Sequence, residues 1–141
     1  MILLDTNVVS ALMLKQPERH ILQWLDRQDP RQVWLPSVVV FELRYGAAIH
    51  PDPRRRSKLV QGLNRLMDEL IQERIAPLDG VAAEKAAVLA AQRQTRGCSV
   101  DLRDTLIAGI ALARGARLAT RNVRHFNDTT ISLINPFPAA P

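Results

Sequence analysis

Three acidic residues stand where acidic residues are out of place. Asp5 ends a short apolar run, Ile2-Leu3-Leu4. Glu42 lies between Phe41 and Leu43 in a largely apolar stretch. Asp104 stands just ahead of Leu106-Ile107-Ala108. Carboxylates that converge repel one another, so a cluster of them calls for a cation. Magnesium suits such a site, because it takes a few carboxylates, keeps several waters and leaves room for phosphate oxygens. A cation of that kind activates water and neutralises charge on phosphorus, so the chemistry these residues would support is phosphodiester hydrolysis. Each residue also has a plain structural role open to it: Asp5 as a helix cap, Glu42 as solvated surface, Asp104 as a complement to a helix dipole.

Convergence depends on the elements that carry these residues. Ile2 to Leu4 reads as a buried strand of a parallel sheet. Asp5-Thr6-Asn7 offers cap chemistry for a helix through Val9, Leu12 and Met13. Pro17 fits a helix start, and Ile21, Leu22 and Leu25 make one face of a second helix. Val33-Trp34-Leu35 is a second strand, stopped by Pro36, and Ser37 is expected to cap a helix from Val38 to about Ile49. Pro51-Asp52-Pro53 breaks that helix. A long amphipathic helix follows, with Leu59, Leu63, Leu66, Met67 and Leu70 on one stripe, which suits core packing or a partner surface. Ile75 to Leu78 is a third short strand, and Asp79 caps an Ala-rich helix ending near Gly97. Asp101 to Arg114 is another helix, closed by Gly115. Arg117 to Thr120 and Ile131 to Ile134 are the last strands, and the tail Asn135-Pro136-Phe137-Pro138 cannot continue a central one.

Short strands alternating with helices predict an α/β domain with a mainly parallel sheet, here one domain over residues 1–141. Ligands of such sheets bind outside the carboxyl ends of the strands. Asp5 lies at such an end. Glu42 and Asp104 lie near the starts of helices that follow connecting loops, so all three can point into one crevice. Asp101, three residues before Asp104, shares a helix face with it and reads first as a cap and second as an extra acidic group.

The 141 residues are 47% apolar, enough to bury a core without disulfide or metal staples. No apolar run approaches the roughly 20 residues needed to span a bilayer. Met1 to Asp5 has no basic n-region, and Cys98 is the lone cysteine, so a cytoplasmic protein without membrane association or disulfide is expected. The net charge of +5 favours a polyanionic partner such as nucleic acid, although solubility explains it equally well. Arg121 and Arg124 flank the expected crevice and are the phosphate-binding candidates. Arg54-Arg55-Arg56 with Lys58 reads at least as well as a solvated face. His20, His50 and His125 are too scattered for zinc, and His125 reads as a surface residue near the site. Glycine-rich nucleotide motifs are absent, and Ser37 and Ser99 have no His-Asp partners legible by spacing. A phosphotransferase with a nucleophilic aspartate would want a second aspartate where Asn7 stands.

An ordered set of short motifs gives the chain a family resemblance over nearly its whole length. The set comprises Leu3-Leu4-Asp5-Thr6-Asn7, then Pro36-Ser37 with Glu42-Leu43 and Gly46, then Asp104-Thr105-Leu106-Ile107-Ala108. Ala119-Thr120-Arg121-Asn122 with Phe126 and a closing Ile134-Asn135-Pro136 complete it. In these the chain resembles PIN-domain ribonucleases, specifically the VapC-type toxins of type II toxin–antitoxin systems. The resemblance implies a PIN-like three-layer domain with a short, mainly parallel sheet flanked by helices. It implies a magnesium-dependent endoribonuclease, with manganese as a substitute, in which Asp5, Glu42 and Asp104 are the catalytic acids. Asp5 and Asp104 would be the principal metal ligands and Glu42 would complete the pocket, with Thr6 and Thr120 lending hydroxyls or backbone groups. Asn122 falls where the family often has a fourth acidic residue, and His125 where many relatives have Asp, which implies a weak second metal site. A cognate antitoxin and a homodimer are the implied protein partners. The competing expectation, favoured by Asn122, is a non-catalytic nucleic-acid-binding module with the same fold.

Overall fold

The computed structural model describes residues 1–139. Five short strands, β1 (Ile2–Leu4), β2 (Val33–Pro36), β3 (Ile75–Ala76), β4 (Arg117–Ala119) and β5 (Leu133–Ile134), form one sheet in the order β3-β2-β1-β4-β5. Every neighbouring pair is parallel. Six helices flank it: α1 (Thr6–Leu12), α2 (Arg19–Asp26), α3 (Ser37–Ala48), α4 (Pro53–Leu66), α5 (Gly80–Thr95) and α6 (Leu102–Arg114). This is the α/β architecture that the alternation of short strands and helices predicts. β1 is central and has helix-bearing connections on either side, so Ile2, Leu3 and Leu4 are all fully buried. Leu35, Leu118 and Phe126 close the core around it.

Local chemistry sets several of the helix ends. Asp5, Asp79 and Asp101 cap α1, α5 and α6 through side-chain oxygens that accept from Thr6, Ala82 and Asp104 N–H groups. Gly115 closes α6 in the left-handed conformation at φ 58°. Ser37 does not cap α3. It is the first residue of that helix, after Pro36, and its hydroxyl accepts instead from the Leu78 N–H at 3.0 Å. The stripe on α4 continues through a wide π-type turn, Met67–Ile71. Leu63 and Ile71 are buried on it and Leu66, Met67 and Leu70 pack against the core. Three strands are shorter than their apolar runs: β3 stops at Ala76 because Pro77 has no N–H to donate, and β4 and β5 cover only Arg117–Ala119 and Leu133–Ile134. Among the described residues no helix is long and apolar enough to cross a membrane.

Gly109 is what lets α5 and α6 pack closely. A Cβ there would lie 2.5 Å from the Ala82 carbonyl oxygen and 2.7 Å from the Ala86 Cβ. Both obstacles sit on the helix backbone or next to it, so neither can swing away. Gly109→Ala is therefore expected to destabilise the protein by roughly 1–2 kcal/mol, although Ala is the better helix former. Gly46→Ala, which meets nothing within 4 Å, should be neutral or stabilising. Thermal unfolding of the two variants beside the parent checks both.

Candidate active site

The sheet changes direction at its centre. From β1 the chain moves outward to β2 and β3, then returns to place β4 on the other side of β1. A parallel sheet opens a crevice at such a reversal, outside the carboxyl ends of the two strands concerned. Here those ends are Leu4 and Ala119, which pair directly, and the next residues are Asp5 and Thr120.

Asp5 is 4% exposed. Its backbone N–H continues the strand pairing to Ala119 at 2.9 Å. Its Oδ1 accepts from the Thr6 N–H at 2.8 Å, and its Oδ2 accepts from the Thr120 hydroxyl at 2.7 Å and from Asn7 Nδ2 at 3.3 Å. The capping role and the site role therefore belong to one side chain. Thr120 in turn accepts from the Asn122 N–H, and Asn7 Oδ1 accepts from the Arg121 N–H, both at 3.0 Å. These bonds lace the turn after β1 to the turn after β4 and fix Asp5 at the floor of the crevice.

Glu42 enters from the second turn of α3, within the helix expected from Val38 to about Ile49. Its Oε2 accepts from Arg103 Nη1 at 3.0 Å, while its Oε1 and the Thr6 hydroxyl are buried without a hydrogen-bond partner. Burial pushes the Glu42 carboxyl above its ordinary value of 4.5; the Arg103 charge and the nearby Thr6 hydroxyl, too poorly aligned to close a hydrogen bond, oppose this, and the charges of Asp5 and Asp104 add to it. Asp104 enters from the first turn of α6, positioned by its own N–H bond to the Asp101 cap. Its Oδ2 meets His125 Nδ1 at 2.7 Å. Burial again raises its carboxyl above the ordinary value, 3.8; the His125 bond holds it down, and Asp101 and Asp5 push it up.

Asp5, Glu42 and Asp104 thus line one pocket of about 290 Å³, together with Thr6, Asp101 and Asn122. Thr120 stands behind Asp5, fully buried. Neither of the two arginines expected to meet phosphate lines this pocket itself. The Arg121 guanidinium sits 3.7 Å above the Phe137 ring, and Arg124 lines the neighbouring cleft. Asn7, Arg103 and the His125 contact are site features that spacing does not reveal, since Arg103 and Glu42 are 61 residues apart.

The residues present suit a hard divalent cation. The pocket supplies carboxylate oxygens, those of Glu42 and Asp104 made more basic by burial and by neighbouring carboxylates, and one Glu42 oxygen is buried and unpaired. Among the described residues, no three His, Cys, Asp or Glu side chains are already gathered as a metal cage. Glu42 is engaged by Arg103 and Asp104 by His125.

The raised carboxyls carry a stability consequence. A group whose folded pKa lies above its unfolded one favours the fold while protonated, and that contribution is lost as pH rises through the folded pKa. In EDTA, Glu42→Gln should therefore gain stability relative to the parent as pH rises above the ordinary carboxylate range. Unfolding midpoints across that range measure the difference, and a flat difference would show that Glu42 is not raised.

Comparison with known proteins agrees with this architecture. Residues 2–131 match the PIN domain family. The chain is 35% identical over 139 residues to the plasmid stability protein StbB of Pseudomonas syringae pv. tomato, covering 99% of this chain and 100% of that one. It is 36% identical over 140 residues to the VapC ribonuclease Y4jK of Sinorhizobium fredii, with the same coverage. The crystal structure of FitAcB from Neisseria gonorrhoeae superposes with a TM-score of 0.82 at 30% identity, over 96% of this chain and 98% of that one. Fold, pocket and sequence together place the chain in the PIN-domain family, among its VapC-type members.

Proposed function

We propose that the protein is a metal-dependent endoribonuclease and the toxic member of a toxin–antitoxin pair. The observation that carries this reading is the convergence of Asp5, Glu42 and Asp104 on one pocket at the sheet's reversal point. The ribonuclease name of the Sinorhizobium relative supports the activity. The family resemblance supports a cognate antitoxin and a homodimer as protein partners, with RNA as substrate.

Asp5 and Asp104 would hold Mg²⁺, or Mn²⁺ in its place, and Glu42 would complete the pocket. When bound, such a cation supplies a Lewis acid that lowers the pKa of water and offsets charge on the phosphodiester. The chain's own groups do the rest. Thr120 and the Thr6 N–H hold the Asp5 carboxylate in one orientation. Asp101, by capping α6, fixes where Asp104 enters. Asn122 presents an amide where a fourth carboxylate would add charge, so it can accept a hydrogen bond but holds a second cation weakly. That amide is also the one feature favouring the second reading, a nucleic-acid-binding module without catalysis.

Cleavage of mixed RNAs decides between them. RNA should be cut with magnesium present, left intact in EDTA, and cut again when magnesium or manganese is restored. Equal cleavage in EDTA would remove the metal from the reading. RNA binding without cleavage under any divalent cation would establish the binding module.

A further inference from the structure

Beyond the wall formed by Asp104 and His125 lies a second cleft, of about 450 Å³. It shares Asp101, Asp104 and His125 with the carboxylate pocket, so the two are compartments of one groove. Their chemistry differs. The first gathers Asp5 and Glu42 with the shared Asp101 and Asp104, whereas the second presents the Arg124 guanidinium, the Asn127 amide and the Ser99 hydroxyl, all three exposed. Among the described residues none of these three side chains makes a hydrogen bond, so all three are available to a ligand.

The floor of this cleft is built rather than incidental. Arg93 is only 5% exposed. It makes two bonds of 2.9 Å to the Asp128 carboxylate and one of 2.7 Å to the His125 carbonyl. The one acid that belongs to this cleft alone is thereby neutralised, and the backbone under His125 is held. With Nδ1 engaged by Asp104, the half-exposed His125 ring is fixed as a flat face on the boundary between the compartments.

We propose that this second cleft is a nucleotide subsite, which takes the unpaired nucleotide next to the scissile phosphate. This rests on the ribonuclease reading and adds to it the place where the substrate strand is gripped. Single-stranded RNA is recognised through bases splayed onto aromatic, His or Arg planes and bonded along their polar edges. The cleft offers that set: Arg124 for a phosphate, the His125 ring for a base face, and Asn127 with Ser99 for polar edges. Its volume lies in the range of small-molecule sites. A base whose polar edge is already engaged in pairing cannot offer it to Asn127 and Ser99, so the subsite favours single-stranded segments.

Adenosine 5′-monophosphate and cytidine 5′-monophosphate, titrated into the full chain without metal and followed by amide NMR shifts, test the subsite apart from catalysis. Shifts should concentrate at Ser99, Arg124 and Asn127, and Arg124→Ala or Asn127→Ala should each weaken binding by roughly tenfold. Inorganic phosphate should move Arg124 alone. In cleavage of a single-stranded oligoribonucleotide, Arg124→Ala should raise KM more than it lowers kcat, while Arg54→Ala should change neither. Nucleotide shifts absent from the cleft, or no different from those of inorganic phosphate, would overturn the proposal. If the parent cuts RNA yet shows no such shifts, the subsite is wrong and the ribonuclease reading stands. If nucleotides bind in the cleft but no RNA is cut, the subsite stands as a nucleotide site and the ribonuclease reading falls.

Discussion

If the proposed ribonuclease reading holds, Asp5→Ala is expected to abolish RNA cleavage and with it any growth arrest on expression without a partner. Loss of a group that merely supports a metal ligand commonly costs ten- to a hundredfold in affinity or activity, so loss of a ligand should exceed roughly a hundredfold. The structure adds a complication, because Asp5 also caps α1 and accepts from the buried Thr120 hydroxyl. Alanine removes the cap, worth about 1 kcal/mol, and leaves the proton of that hydroxyl without its acceptor, at about 1 kcal/mol because the hydroxyl oxygen still accepts from the Asn122 N–H. Relief of repulsion from Glu42 and Asp104 offsets part of this. Asp5→Asn is the discriminating companion: its amide keeps an oxygen for the Thr6 N–H and a polar partner for Thr120, but loses the charge. If catalysis at this pocket causes toxicity, both variants should be inactive and harmless, with Asp5→Asn folded like the parent by circular dichroism. If Asp5→Asn remains as toxic as the parent at equal expression, the pocket is not the source of toxicity, and the binding-module reading takes over.

The parts of the fold and of the site that sequence made legible are those governed by local chemistry. Asp5 announces itself because an apolar strand ends in a carboxylate. Asp101 and Asp79 do so because Asp before a helical pattern is a cap, and Gly115 because only glycine takes its positive φ at no cost. The illegible parts are pairings between distant segments. Arg103 looks like any solvated helix residue until the fold sets it beside Glu42. Ser37 reads as a cap until the segment after β3 brings the Leu78 N–H to its hydroxyl. Arg121 flanks the crevice in sequence, but the Phe137 ring in the tail offers its guanidinium an aromatic face. His125 is indeed half exposed, as a surface residue should be, yet it is bonded to Asp104 from 21 positions away. In each case the partner comes from a segment distant in sequence, so spacing alone could not have chosen it.

The ion pair of Arg93 and Asp128 carries the second large expected effect. Arg93 is nearly buried, and besides Asp128 it donates to the Thr105 hydroxyl at 3.0 Å and to the His125 carbonyl. It therefore ties α5 to α6 and to the loop that brings Asn122 and His125 to the site. The two halves of the pair are not equivalent. Asp128→Ala strands a guanidinium that cannot shed its charge and has little access to water, whereas Arg93→Met strands a carboxylate that is a quarter exposed and can be hydrated. Removing one partner of a buried pair typically costs 3–5 kcal/mol. With the exposure of Asp128 discounted, Asp128→Ala is expected to cost about 3 kcal/mol and Arg93→Met about 2 kcal/mol. The double variant should cost less than their sum, because it strands neither charge. The Arg93 guanidinium also holds the Asp128 carboxyl below its ordinary value of 3.8. A depressed carboxyl contributes stability that is present above its unfolded pKa and lost as pH falls through the folded one. The gap between parent and Arg93→Met should therefore narrow as pH is lowered through and below the ordinary aspartate range. Urea unfolding of the two single variants and the double, at neutral pH and at acid pH, measures all of this. Additive costs, or a gap that does not narrow in acid, would show that the two residues pack side by side without energetic coupling.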